Sequence, residues 1–255
     1  MTPSIASASA PLRAPFFRDA IDLIRTVGAG LLIAMLLQTV VAQPFTIPSS
    51  SMEPGLVTGD YVVTSKFAYG WSRASLPFDP PLGSGRLFGR AAERGDVVVF
   101  RLPRDRQQVW VKRVIGLPGD RVRVSSGQVF INERAVRRTD LGVTQDHDAP
   151  DRTVNLVRER LPDGPAYTTY DGGSGPGDDT ETIVVPAGQY LVMGDNRDNS
   201  LDGRWPREVG VGLLPAENIV GRAEWIVASW EPGAGLFKPW TWFKLHSGRF
   251  FVRVL

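Results

Sequence analysis

Three consecutive serines, Ser49 to Ser51, are enclosed by Pro48 on one side and Pro54 on the other. Prolines restrict the backbone around them, so this short loop holds its hydroxyl groups in few positions. A serine hydroxyl is a weak nucleophile at neutral pH and needs a neighbouring base to take its proton. Without such a base the segment is an ordinary polar linker, so the identity of the base decides its chemistry.

Histidine, the usual base, occurs only at His147 and His246, in a polar acidic run and in the C-terminal tail. Neither has the setting of a Ser-His-Asp triad. The Gly-x-Ser-x-Gly turn of α/β-hydrolases is also absent, because Gly172-Gly173-Ser174-Gly175 continues with Pro176. These observations argue against a Ser-His-Asp hydrolase.

Lysine is the other candidate base, and Lys112 lies in the middle of a strand-like run. Alternation along a strand places Trp110, Lys112 and Val114 on one face, between large apolar neighbours. Desolvation there disfavours the ammonium form and lowers the pKa, as a lysine base requires. The competing interpretation is an edge-strand lysine that prevents aggregation. Because Ser-Lys pairs are a variant of serine catalysis, Ser51 favours the catalytic interpretation.

A third polar run, residues 194–204, directly follows an apolar strand-like segment. A calcium loop beginning at Asp198 is a competing idea, but its twelfth position is Val209, where such loops need a glutamate. We interpret the run as a hydrogen-bonded loop that braces a nearby site.

Composition excludes several other classes of protein. The 255 residues include no cysteine, which excludes disulfide scaffolds, thiol nucleophiles, iron–sulfur clusters and Cys-based zinc sites. Two histidines argue against a His-rich metal site. The net charge of +2 and the absence of a basic cluster argue against a nucleic-acid partner.

The N-terminal part predicts a membrane anchor. Residues 1–25 form a short N-terminal segment, and the apolar stretch in residues 26–43 is just long enough to span a bilayer. Arginines before it place the N-terminus in the cytoplasm. A cleaved signal peptide ending near Ala42 and a buried core helix are the alternatives.

After Pro44 the chain consists of short β-like runs separated by turn signals, which predicts an all-β, antiparallel fold behind one transmembrane helix. The stretch 139–180, rich in Asp, Gly and Pro, is expected to have little regular structure. The C-terminal tail suits either a membrane interface or a docked core element. The predicted organisation is a core of residues 44–122 and 188–234, a smaller inserted β region of residues 123–187, and an aromatic-basic C-terminal segment of residues 235–255.

Taken together, these segments resemble bacterial type I signal peptidases (leader peptidases), which are membrane-anchored Ser/Lys serine endopeptidases. The matching segments occur in the family's order and span most of the chain after the anchor: residues 48–54 around the serines, Arg94 to Phe100, Lys112 to Asp120 and Gly194 to Ser200.

The resemblance implies that Ser51 is the nucleophile and Lys112 the general base. It also implies that the Ser49 hydroxyl and the backbone N–H of Ser51 form the oxyanion hole. In the family a serine matching Ser200 orients the lysine, and a pair matching Asp202 and Arg204 braces the loop.

The sequence departs from the family pattern at two places near these residues. Gly55 stands where threonine is common, and residues 201–210 are longer and more polar than the expected link.

The implied substrates are exported preproteins with small residues at the first and third positions before the cut, as in Ala-x-Ala sites. They would bind as an extended strand between residues 45–48 and 109–112. The implied location is the bacterial plasma (inner) membrane, with the lipid bilayer as a partner. The protein would cross it once and carry its catalytic part on the outer (periplasmic or extracellular) face. No metal or organic cofactor is implied. Suitable pocket walls are Phe45, Ile47, Pro48, Met52, Leu56, Trp110 and Val111.

Three alternatives remain open: a specialised peptidase that matures one dedicated partner, a non-catalytic membrane-anchored peptide-binding β module, and a soluble self-cleaving Ser/Lys regulator. The complete Ser51, Lys112 and Ser200 set argues against the binding module, and the predicted anchor against the regulator.

Overall fold

The computed structural model describes residues 14–76, 79–81, 83, 85–231, 233–235 and 238–255, without the side chains of residues 14–17 and 37–40. One long helix precedes a β-rich body, which confirms the predicted fold class. The elements are α1 (Ala14–Val40), β1 (Ala42–Thr46), β2 (Asp60–Ser65), β3 (Val97–Leu102), β4 (Asp105–Gly116), β5 (Arg121–Ser125), β6 (Gln128–Ile131), β7 (Arg134–Ala135), β8 (Arg137–Gln145), β9 (Thr153–Arg160), β10 (Ala166–Asp171), β11 (Ile183–Val184), β12 (Gln189–Met193), β13 (Leu214–Pro215), β14 (Ile219–Ser229) and β15 (Val252–Arg253). Short 3-10 helices cover Ser50–Met52, Arg73–Ser75, Arg197–Asn199, Ala216–Asn218 and Pro239–Thr241.

The largest sheet has the strand order β1-β2-β14-β3-β4-β12-β13, with β15 paired to β14. Its strand pairs are all antiparallel. Runs of valine in β3 and β4 suit such a sheet, because β-branched side chains pack well on a pleated surface. Val98 of β3 lies opposite Lys112 of β4, so the strand that carries the lysine is held in register within the sheet.

Two smaller sheets follow in the middle of the chain, with the orders β11-β5-β6-β7 and β10-β9-β8. The second one corrects the expectation that residues 139–180 have little regular structure. Val154 and Val157 of β9 and Tyr167 and Tyr170 of β10 are buried, whereas Thr153, Asn155 and Arg158 are exposed. The frequent turn-forming residues around these strands obscured this pattern in the sequence.

Helix α1 covers most of the predicted anchor, and its described apolar side chains are exposed, among them Leu23, Ile24 and Leu31. Within the fully described part of the chain, no helix combines the length and hydropathy that crossing a membrane requires. The anchor includes residues 37–40, whose side chains lie outside the described set, and it stays a prediction.

The C-terminal segment docks on the main sheet through its last residues. β15 pairs with Trp225 and Ile226 of β14, and the Leu255 carbonyl accepts a hydrogen bond of 2.6 Å from Arg113 Nη1. The docked-element alternative therefore holds for this end of the tail. Trp240 and Phe243 remain largely exposed.

Candidate active site

Buried apolar side chains hold the serine loop in place. Ser50–Met52 forms a 3-10 turn shortly after β1, closed by a hydrogen bond of 3.1 Å from the Glu53 N–H to the Ser50 carbonyl. Met52 and Leu56 are fully buried in a core cluster that also contains Ile47. Both residues were predicted as walls of a substrate pocket, and neither is among the residues that line the cleft described below.

The side chains of Lys112 and Ser51 are in contact beside this core, although the two residues are 61 positions apart in the sequence. Lys112 Nζ donates hydrogen bonds of 2.6 Å to Ser51 Oγ and 3.0 Å to the Val111 carbonyl. The lysine side chain is only 3% exposed, which excludes a solvated edge-strand lysine. Burial lowers the pKa of Lys112 from 10.5 to about 8, against the opposing effect of the nearby carboxylates of Asp202 and Asp195. An amine with this pKa is substantially neutral in weakly alkaline solution, where it can take a proton from the serine.

The side chains of Ser49 and Ser200 both lie near Ser51. Ser49 Oγ is 3.4 Å from Ser51 Oγ. Ser200 is buried, and its Oγ has no hydrogen-bond partner among the described residues. Gly194 accounts for the close packing here, since a Cβ at this position would lie 2.3 Å from Ser200 Oγ and 2.4 Å from the Ser51 carbonyl oxygen. Ser200 is therefore packed beside the serine loop without a hydrogen bond to Lys112.

The polar loop after β12 contacts the serine loop and is itself held by a buried ion pair. Arg204 Nη2 and Nε lie 2.9 Å from the two carboxylate oxygens of Asp202, which is completely buried. Asp202 Oδ2 also accepts the Gly194 N–H at 2.9 Å. Asn199 Nδ2 donates a 2.8 Å hydrogen bond to Ser50 Oγ, a contact that no sequence spacing indicated.

A second buried ion pair lies next to the lysine in sequence. Arg113 Nη2 and Nε donate hydrogen bonds of 2.6 and 2.8 Å to Asp195, and both side chains are at most 2% exposed. This pair explains the unexpected glycine at position 55, because a Cβ there would lie 2.9 Å from Asp195 Oδ2. Sequence reasoning missed the pair, since nothing in the sequence links its two members.

A cleft of about 570 Å³ opens beside Ser51 and Lys112. Among the described residues, β1 lies at the edge of the main sheet, and the first part of β4, through Lys112, pairs with β3 and with no other strand. Two strand edges with unpaired backbone therefore border the cleft, the arrangement that an added peptide strand needs. The lining includes five of the seven predicted wall residues, Phe45, Ile47, Pro48, Trp110 and Val111, together with Asn199, Leu201 and Trp205, which sequence reasoning missed.

Lys66 is a second buried lysine. Burial, assisted by the positive charge of Arg101, lowers its pKa to about 8 as well. Lys66 Nζ donates to the backbone carbonyl of Ser75. A low pKa alone therefore does not single out a candidate base in this chain, and Lys112 is the candidate because it contacts Ser51 Oγ.

Comparison with known proteins identifies the family of this chain. A family model described as "Signal peptidase, peptidase S26" matches residues 20–230. The chain is 36% identical to the signal peptidase I of Rickettsia typhi and 36% identical to that of Rickettsia prowazekii, in each case over 228 residues that cover 82% of this chain and 84% of the relative. A crystal structure of a signal peptidase I from Enterococcus faecalis V583 is 24% identical, with a TM-score of 0.32, and the match covers 52% of this chain and 97% of the other. The family match and the Rickettsia relatives show that this chain belongs to the signal peptidase family S26.

Proposed function

We propose that this chain is a serine endopeptidase that removes signal peptides from exported preproteins, with Ser51 as nucleophile and Lys112 as general base. Family membership supports signal peptide removal. The main support for the dyad is the 2.6 Å hydrogen bond between Lys112 Nζ and Ser51 Oγ. The lysine is buried, and its pKa is lowered to about 8.

In the proposed mechanism, neutral Lys112 takes the proton of Ser51 Oγ while that oxygen attacks the scissile carbonyl carbon. The negative charge that develops on the carbonyl oxygen is stabilised by the Ser49 hydroxyl and the Ser51 N–H. The C–N bond then breaks, and the Lys112 ammonium gives its proton to the leaving amine. Lys112 then takes a proton from a water molecule, whose oxygen attacks the carbonyl carbon of the ester. The bond between that carbon and Ser51 Oγ breaks, Lys112 returns the proton to Ser51 Oγ, and the acid product leaves.

Asp202, Arg204 and Ser200 support this centre in the proposal. The negative charge of Asp202 opposes the effect of burial on Lys112 and keeps its pKa from falling further. Ser200 Oγ, which is buried beside Ser51 and free of other partners among the described residues, is available to hold the lysine once a substrate enters the cleft.

For the substrate we propose small residues such as alanine at the first and third positions before the cut. An extended peptide that pairs with β1 and with the first part of β4 points alternate side chains into the cleft. The bulky walls Phe45, Ile47 and Trp110 limit the space for them.

We also propose that α1 anchors the enzyme at the bilayer with the β-rich body on the outer face. The uncharged sequence of residues 26–52 and the exposed apolar side chains of α1 support this location. Such an anchor brings the serine loop, a few residues beyond it, close to the site where a membrane-inserted signal peptide emerges.

The test is cleavage of a purified preprotein in detergent by the wild type and by Ser51→Ala, with the new N-terminus identified by mass. We expect the wild type alone to cut, directly after an Ala-x-Ala site, and to lose this cut when either alanine is replaced by tryptophan. Equal cutting by Ser51→Ala, or indifference to the tryptophan, would contradict the proposal.

A further inference from the structure

A second group of chemically capable side chains lies near the serine loop. Glu53, two residues after Ser51, meets His147 and Asp148 from the loop between β8 and β9. One potential ligand atom from each of the three lies within 4.8 Å of the other two. The group joins the serine loop to the β8–β10 sheet.

Glu53 is buried without a lysine or arginine partner among the described residues. Its side chain is completely buried, and neither carboxylate oxygen has a hydrogen-bond partner among the described residues. A buried carboxylate in such surroundings requires either a proton or a cation.

The charges of the surrounding side chains favour a divalent cation in this group. Asp146 is compensated, since Arg152 Nη1 lies 3.6 Å from Oδ2, and Oδ1 accepts the backbone N–H groups of residues 148 and 149. In the described part of the chain, Glu53 and Asp148 form no ion pair with lysine or arginine. Both lie beside His147, and Asp148 Oδ2 also accepts a hydrogen bond from the Thr58 hydroxyl. Two uncompensated carboxylates beside one imidazole match the charge of a divalent metal.

The spacing of the atoms also fits. His147 Nδ1 lies 3.7 Å from Glu53 Oε1 and 3.1 Å from Asp148 Oδ1. Zinc bonds to nitrogen and oxygen of about 2.0–2.2 Å in a tetrahedron separate neighbouring ligand atoms by about 3.4 Å. The ring of His246 is 5.0 Å from that of His147, and its Nε2 is buried without a partner among the described residues.

We propose that Glu53, His147 and Asp148 bind a divalent cation, with zinc as the best fit to one imidazole and two carboxylates. The ion takes no part in peptide cleavage. It neutralises Glu53 and fastens the turn that carries Ser51 to the β8–β10 sheet. The sequence indicated no metal, because Glu53 and His147 are far apart in the chain and only folding brings them together.

The test uses the full chain in detergent, freed of metal with a chelator, and Zn²⁺ or Mn²⁺ alone as the probe. We expect one saturable site per chain by calorimetry and a rise of the unfolding temperature with added metal. Glu53→Gln and His147→Ala should each weaken binding at least about tenfold. Glu181→Gln, at an exposed carboxylate outside the cluster, is the matched control and should bind as the wild type does.

Because the His147 side chain is partly exposed, we expect His147→Ala to fold. It therefore tests metal binding even where Glu53→Gln fails to fold. Absence of saturable binding to the wild type, or undiminished binding to His147→Ala, would overturn the proposal. Stabilisation of the metal-free protein by Glu53→Gln, without metal binding by the wild type, would assign a proton to the site instead. None of these outcomes depends on peptidase activity.

Discussion

The pH dependence of cleavage follows from the burial of Lys112. Only the neutral amine can take the proton of Ser51, and its pKa is lowered to about 8. With this pKa the neutral fraction is about 1% at pH 6, about 9% at pH 7 and about 90% at pH 9. We therefore expect kcat/KM to rise nearly tenfold per pH unit below pH 7 and to level off above pH 9, about 90-fold higher than at pH 6.

The assay is initial-rate cleavage of a preprotein at low substrate concentration between pH 6 and pH 9.5, because kcat/KM reports ionisations of the free enzyme. Lys66→Met is the matched control, since Lys66 is a buried lysine with a pKa of about 8 that contacts the Ser75 carbonyl. Its profile should coincide with that of the wild type. A profile that is flat from pH 6 to pH 9, or an acid limb that moves in Lys66→Met, would refute the role of Lys112.

Three further changes test individual contacts. Lys112→Met should abolish cleavage yet raise the free energy of unfolding at pH 7 by about 1–3 kcal/mol, because the folded state lowers the pKa of this lysine and disfavours its charged form. This gain, measured by chemical denaturation, should be fully present below pH 8 and fade as pH rises towards 10.5; a loss of stability at pH 7 would contradict it. Ser49→Ala should lower kcat about 10²–10³-fold with little change in KM, as expected for loss of an oxyanion donor, and an unchanged kcat would exclude the Ser49 hydroxyl from that role. Gly55→Ala should destabilise the protein by about 1–3 kcal/mol in thermal unfolding, because its Cβ would lie 2.9 Å from Asp195 Oδ2 in the rigid pair with Arg113. Gly89→Ala is the control and should be neutral, because its Cβ would approach no atom closer than 3.5 Å. Equal effects of the two substitutions would refute the steric explanation.

Local patterns were enough to predict several strands of the main sheet, but not β1, β13 or β15. β3 and the second half of β4 are rich in β-branched residues, β12 is mostly apolar, and turn residues flank all three, so each is visible within a short window of sequence. β9 and β10 escaped prediction because Glu159 and Thr169 are buried there beside the apolar residues, in a region rich in Asp, Gly and Pro.

The contact between Ser51 and Lys112 was expected, because few histidines make lysine the candidate base for a serine and because the surrounding segments resemble those of signal peptidases. Its supports were not. The bond from Asn199 to Ser50, the pair of Arg113 with Asp195 and the meeting of Glu53 with His147 join residues that are distant in sequence. Only the tertiary structure creates these contacts. Met52 and Leu56 illustrate the same limit, because an apolar residue suits a pocket wall and a core equally well until the fold determines its exposure.

Parallel cleavage of one preprotein at pH 9 by the wild type, Ser51→Ala, Lys112→Met and Lys66→Met tests the Ser51–Lys112 dyad most directly. We predict that Ser51→Ala and Lys112→Met each lose about 10³-fold or more of the single-turnover rate, and that Lys66→Met stays close to the wild type. Cleavage by folded Lys112→Met at a rate near that of the wild type, or an equal loss in Lys66→Met, would contradict the assignment of Lys112 as the base.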